Sequence, residues 1–402
     1  MNMSKNHKWI FRARFRKHAF GWRDQPAISR VKEAVSEIKK VARKDPVLGG
    51  EGAVMFLEKL VPAIEHVDGS SGAIGNTVKN AIRELVLVIS DAPAGDDLRD
   101  AWIEKLWNVM LDEDMGYLDD LGDYWGEMCV TPERASKWAD ELLPELRASW
   151  ARKKSRYFKG TTACLSCMLS AGRYQELLDL IETAPFVWWN DRKFGVRALV
   201  AMGKKSEAIS YAEASKGLSD SLGPIHKVCE EILLSSGLVD EAYERYALHT
   251  NLRMSNLATF RAIAKKYPHK EKKQILNDLI ESSPGSEGKW FATAKNLGMY
   301  DLAINLANRS PCEPKTLNRA AKAHIKKNPE FALETALTSL HWLAEDYGYK
   351  ITSHDVQEAH NYAMKAAEKL GKKELIQKKI RKIVENDRST GKFVQKSLGR
   401  EK

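Results

Sequence analysis

Apolar residues recur along most of this 402-residue chain at steps of three and four, the spacing that lines one side of an α-helix. Val31, Val35, Ile38 and Val41 form one such face before a break at Asp45-Pro46. Val54, Leu57, Leu60, Val61 and Ile64 form the next, followed by the Gly-rich stretch Asp68-Gly69-Ser70-Ser71-Gly72. Val78, Ile82, Leu85, Val86 and Ile89 mark a third helix, ended by Asp91-Ala92-Pro93-Ala94-Gly95, and Trp102, Leu106 and Val109 open a fourth. Leu177, Leu178 and Ile181, and later Ile232, Leu233 and Leu234, continue the helical rhythm. No segment alternates apolar and polar residues with β-branched enrichment, so no strand is expected. The pattern predicts an all-α fold.

A short motif repeats within that pattern: an apolar helix, a Gly, two or so polar or aromatic residues, then an acidic residue followed by Ala or Leu. It reads Gly172-Arg173-Tyr174-Gln175-Glu176-Leu177, Gly203-Lys204-Lys205-Ser206-Glu207-Ala208 and Gly237-Leu238-Val239-Asp240-Glu241-Ala242. It returns as Gly298-Met299-Tyr300-Asp301-Leu302-Ala303 and Gly371-Lys372-Lys373-Glu374-Leu375. Degenerate copies turn at Tyr267-Pro268-His269-Lys270 and Asn328-Pro329-Glu330-Phe331-Ala332, and an insertion is expected near Tyr347-Gly348-Tyr349. Gly at a helix C-terminus supplies a left-handed cap and Pro ends the hydrogen-bond ladder. The acidic residue then sits in the first turn of the following helix, where the dipole favours it. Each copy therefore reads as a chain reversal between two short helices.

On these residues, and on Pro185, Pro284 and Pro311 closing some units, the chain resembles the tetratricopeptide-repeat (TPR) family over about residues 160–385. The resemblance implies a right-handed α-solenoid of TPR-like helical hairpins whose concave face holds peptides or protein segments. The earlier helices are longer and read as a HEAT-like or irregular part that caps the solenoid. The expected organisation is a basic aromatic arm over 1–27, helical hairpins over 28–150, TPR-like repeats over 151–385 and a basic flexible tail over 386–402.

Charge alters this picture mainly at the ends. The chain carries 64 basic and 54 acidic residues, and residues 1–23 hold Lys5, Lys8, Arg12, Arg14, Arg16, Lys17 and Arg23 with no acid. The arm interleaves those cations with Trp9, Phe11, Phe15, Phe20 and Trp22. Such a mixture suits nucleic acid, an anionic membrane surface, or a docked capping helix that buries its rings. A second cluster, Trp150 to Lys159, adds Arg152, Lys153, Lys154 and Arg156. Trp188 and Trp189, followed by Arg192 and Lys193, are candidate partner anchors, because Trp and Arg dominate interface hot spots.

The remaining chemistry reads as structural. Cys164 and Cys167 form a CxxC pair inside an apolar helix, without the preceding strand or the further ligands that redox or zinc chemistry needs. The five cysteines make no disulfide framework and suit a reducing compartment; a cytoplasmic protein is expected. No membrane span, metal site or cofactor is expected, and no nucleophile–base constellation stands out. The acidic stretch from Asp112 to Glu127 reads as a solvated face or a dock for the basic arm. The function expected is a non-catalytic scaffold that binds a protein or peptide. Nucleic-acid binding is the alternative, and a small-molecule substrate is disfavoured.

Overall fold

The computed structural model describes residues 7–151, 157–218 and 220–399, and among them it contains helices and turns and no strand. The chain divides into two compact units between Ile232 and Leu233. In the first unit the helices are α1 (Ile10–Arg14), α2 (Asp24–Ala42), α3 (Pro46–Ile64), α4 (Ala73–Asp91), α5 (Asp96–Asp112) and α6 (Trp125–Cys129). They continue as α7 (Pro132–Ala151), α8 (Thr161–Ser170), α9 (Tyr174–Glu182), α10 (Trp189–Ala201) and α11 (Lys205–Ala214). The next helix, α12 (Leu222–Ser235), contains the point of division.

Helices α2, α3 and α4 pack pairwise through the three apolar faces read from the sequence. Local chemistry sets their ends. The Asp45 carboxylate accepts the Leu48 N–H at 3.0 Å, and Pro46 takes the first turn of α3, where a missing N–H costs nothing. At the far end of α4, the buried Arg99 guanidinium donates to the carbonyls of Ile89 and Ala92, groups the helix itself leaves unpaired.

Three glycines on α3 allow close packing. A Cβ on Gly49, Gly50 or Gly52 would lie 2.4 Å from Ala42, 2.5 Å from Trp102 and 2.3 Å from Trp9, respectively. The Trp9 contact fixes the arm. Trp9, Phe11 and Phe15 are buried, and Phe11 and Phe15 meet the Phe56 ring edge-on at 5.4 and 4.9 Å. The N–H groups of Ile10 and Phe11 donate to the Glu37 carboxylate at 2.7 and 3.1 Å. His18 N–H donates to the Pro62 carbonyl at 2.8 Å. The basic arm therefore rests on α2 and α3, not on the acidic stretch 112–127 as one sequence reading had it. Apolar burial of three rings outweighs any long-range attraction between charges that water screens.

The repeated glycines terminate helices. Gly172, Gly203, Gly237, Gly298 and Gly371 have φ between +66° and +79°. At each, two hydrogen bonds close the preceding helix: at the first, Gly172 N–H reaches the Leu169 carbonyl and Arg173 N–H the Met168 carbonyl. The same pair recurs at Gly203/Lys204, Gly237/Leu238, Gly298/Met299 and Gly371/Lys372, which is the Schellman pattern.

The second unit runs through helices Asn256–Lys266 and Lys272–Glu281, which flank Pro268, then Phe291–Asn296 and Tyr300–Arg309 around Gly298. Pro314–His324 and Pro329–Ala344 follow, with the Asn328 side chain capping the latter by accepting Phe331 N–H at 3.1 Å. Ser353–Lys369 opens with a reciprocal Thr352–Asp355 capping box and leads to Lys373–Glu385.

Helices α7 and α8, on either side of the joint expected near residue 150, pack on each other. Of the stretch 386–402, read as a basic flexible tail, the described residues 386–399 end in the helix Phe393–Ser397 with Val394 buried. The Asp387 carboxylate holds that turn, accepting the N–H groups of Ser389 and Gln395 at 2.9 and 3.0 Å. Among the described residues no helix is long and apolar enough to cross a membrane.

Candidate partner-binding cleft

A cleft of about 420 Å³ opens in the first unit. Its walls come from the 3₁₀ turn Asp119–Tyr124, the end of α7 at Trp150, the segment 157–162 and the loop Ala184–Trp188 leading into α10. Pro185 keeps that loop out of helix, and Trp188 takes an extended conformation before α10 begins.

The loop is pinned from below. Asp220 Oδ2 accepts the N–H groups of Trp189 and Gly217, both at 2.9 Å. Gly217 is needed there, because a Cβ would come within 2.2 Å of the Val187 carbonyl oxygen. With Trp189 buried and its neighbours held, Phe186 and Trp188 project outward, 60% and 57% exposed, their rings stacked at 6.5 Å. Elsewhere in the first unit tryptophans pack against one another around a buried ring, Trp125. Trp107, Trp125 and Trp138, for example, pack together at 5.4–5.6 Å.

The cleft is acidic. Four carboxylates, Asp119, Asp120, Asp123 and Asp191, line it against one ammonium, Lys159. Lys159 donates to the Glu113 carbonyl, and Asp123 is matched by Lys193 at 2.6 Å. Asp120 lies 3.4 Å from Lys79. Asp119 accepts the Tyr157 hydroxyl at 3.1 Å through one oxygen, while its other oxygen is buried and has no hydrogen-bond partner among the described residues. The Asp191 carboxyl is pushed up to about 6, first by burial and then by the neighbouring Asp123 and Asp220, against the pull of Lys193 and Arg192. The wider stretch 93–150 carries fifteen acidic and five basic side chains, so the surrounding field has the same sign. Carboxylates without full compensation beside exposed ring faces have the chemistry to attract a cation.

The sequence-based candidates are dispersed by the structure. Trp188 lines the cleft; Trp189 is in the core. Arg192 donates to both Glu182 oxygens and, at 2.9 Å, to Tyr211 Oη, and lies over the Tyr211 ring. Lys193 is held by Asp123 and Asn190. Both cations thus face neighbours within the unit, and the charged side chains lining the cleft are mostly acidic. In the arm, Lys8, Arg12, Arg16, Lys17 and Arg23 are exposed and have no ion pair among the described residues, while Arg14 pairs with Glu33 at 2.5 Å. The rings Trp9 and Phe15, expected as stacking platforms in the nucleic-acid reading, are buried instead, and Trp22 alone among the arm's Trp and Phe residues stays mostly exposed, at 72%. Arg152, Lys153, Lys154 and Arg156 lie outside the described residues.

Cys164 and Cys167 are core residues on α8. Burial pushes the Cys164 thiol up to about 12, away from thiolate chemistry. Among the described residues no group of three or more His, Cys, Asp and Glu side chains is placed to hold a metal ion.

Phe186 and Asp191 were missed by sequence reasoning. The available signal was the run Phe186-Val187-Trp188-Trp189 directly after Pro185. Three aromatics within four residues point in different directions, which marks the segment as a place to look for an outward-facing ring. No protein-family model matches the chain, and the comparison with curated proteins finds no significant similarity.

Proposed function

We propose that this protein is a non-catalytic interaction scaffold, and that it holds a protein segment by seating a cationic side chain of that segment in the cleft between Phe186 and Trp188 and the carboxylates of Asp119 and Asp191. The single observation that carries this reading is the stacked, water-exposed ring pair on a pinned loop beside under-compensated carboxylates. A Lys or Arg stem would cover the rings while its charge meets the carboxylates, an arrangement worth more than either contact alone once water is displaced.

The architecture we propose around it is a TPR-like right-handed solenoid with a HEAT-like beginning. What supports that reading is the series of five like glycine caps, each ending one helix two residues before the next begins. A cytoplasmic setting fits five free, buried thiols.

The test is fluorescence anisotropy with short labelled peptides that differ only in a central Arg, Lys, Gln or Glu. The Arg and Lys peptides are expected to bind at least tenfold more tightly than the Glu peptide. Trp188→Ala should cost about 2 kcal/mol of that affinity, in the range of interface hot spots. Equal binding of all four peptides, or full affinity in the Trp188→Ala variant, would sink the proposal.

A further inference from the structure

A second groove lies on the first unit between α2 and α4, with a volume of about 780 Å³. Its floor is apolar: Val31, Val35 and Ala81 are buried beneath it. Its rim is basic and polar. Of the charged residues lining it, Glu84 alone is acidic, and Glu84 is taken by Lys39 at 2.5 Å. Arg83 is engaged by the Tyr124 side chain. That leaves Lys32, Lys40 and Arg43 exposed, with no ion pair among the described residues, facing the exposed amides of Asn76 and Asn80 across the groove.

Lys32 and Lys40 lie on the outer side of α2, and Arg43 is the residue that caps its end. Lys32 and Lys40 stand about 12 Å apart along α2 and Arg43 about one turn further on. They form a line of charge rather than a point. The two helices begin side by side, where the Ser71 hydroxyl meets the Asp24 carboxylate, and Trp22 stands exposed just ahead of that end.

We propose that this groove binds single-stranded nucleic acid through its phosphates. A strand offers one negative charge per nucleotide at regular intervals, which a line of cations along a helix can follow. The amides of Asn76 and Asn80 supply neutral donors and acceptors for sugar or base edges, and the Trp22 face offers a stacking platform. An anionic membrane is a poorer match, because the cations rim a recess and the apolar groups lie at its floor. An acidic polypeptide would use the cations but not the ring. The site is distinct from the aromatic cleft, shares no residue with it and does not depend on the peptide-binding reading.

The test uses the full chain and a labelled oligo(dT) of about 15 nucleotides, enough for a site of this class. Anisotropy titrations between about 50 and 200 mM salt give the slope of log K against log[salt]. The combined variant Lys32→Gln, Lys40→Gln, Arg43→Gln is expected to lower that slope by about 2, the value for three phosphate contacts on a single strand. Trp22→Ala should weaken binding about tenfold with the slope unchanged, as loss of one stacked base does. All four side chains are exposed, so the unfolding midpoint of each variant should match the parent. An unchanged slope in the triple variant would overturn the proposal. Displacement of the oligonucleotide by poly-glutamate or by phosphatidylserine vesicles at equal charge concentration would overturn it too, reassigning the groove to an acidic protein or a lipid surface.

Discussion

Replacing Asp191 by Asn removes a charge that the fold disfavours, so the variant should be more stable than the parent and worse at binding. Burial moves the Asp191 carboxyl from an ordinary 3.8 to about 6. A folded-state value above the unfolded one means that the native protein binds the proton more tightly. Ionisation therefore destabilises the native state, and the penalty is fully present above the folded value and absent below the unfolded one. At about 1.4 kcal/mol for each pH unit of displacement, the penalty above pH 6 is roughly 3 kcal/mol as an upper bound, and less because Asp191 is only partly buried. Asn keeps the side chain's shape and carries no charge at any pH. The expected gap between the two proteins is close to zero near pH 4, opens between about pH 4 and 6 and is constant above that. For a unit of this size the gap corresponds to a rise in the melting midpoint on the order of 5–10 °C at neutral pH. Thermal unfolding followed by circular dichroism at a series of pH values measures it. A variant less stable than the parent at neutral pH, or a gap that does not change with pH, would refute the reasoning. The same substitution should weaken the Arg peptide at neutral pH. In the parent, lowering the pH through about 6 should weaken it as well, since protonation removes the carboxylate's charge.

Gly52→Leu places a side chain where the Trp9 ring lies, so the arm should lift from α3. Overpacking of this kind costs about 1–3 kcal/mol, and trypsin should then cut at Arg12, Arg14 and Lys17 much faster than in the parent; equal cleavage rates would show that the arm is held some other way. Gly172→Ala tests the caps. Gly172 has φ +73° and a Cβ there would meet nothing within 4 Å, so the cost should be backbone conformation alone, about 1 kcal/mol. Gly172→Asn should cost less, because Asn tolerates that region, and a loss well above 2 kcal/mol for Ala would mean that the cap carries contacts beyond its own turn.

How much could be read in advance depends on how far along the chain each cause extends. The apolar faces of α2, α3 and α4 were legible, since period and burial are two views of one helix geometry. So were the reversals at Gly172, Gly203, Gly237, Gly298 and Gly371, because a Schellman cap is settled within six residues. The arm's outcome was not. Its composition fits a docked helix and a polyanion binder alike, and the choice lay with Gly52 and Phe56, far away in sequence, which happen to leave room for Trp9 and an edge for Phe15. The cleft was legible only in outline. The aromatic run at 188–189 supplied candidate anchors, but which rings face out followed from Asp220 and Gly217 pinning the loop through the segment after α11.

Charge shows the limit most plainly. By itself the amino-acid order determined helix, turn and the basic or acidic sign of each stretch, because these follow from covalent neighbours. Which charges are paired and which are left under-compensated was decided only when the chain folded. Arg192 and Lys193 look available in sequence and are neutralised by Glu182 and Asp123, whereas Asp119 and Asp191 look ordinary and are left under-compensated in a recess. Coulomb pairing and desolvation act through space over a few ångströms, and in this protein those distances join residues as many as 70 positions apart.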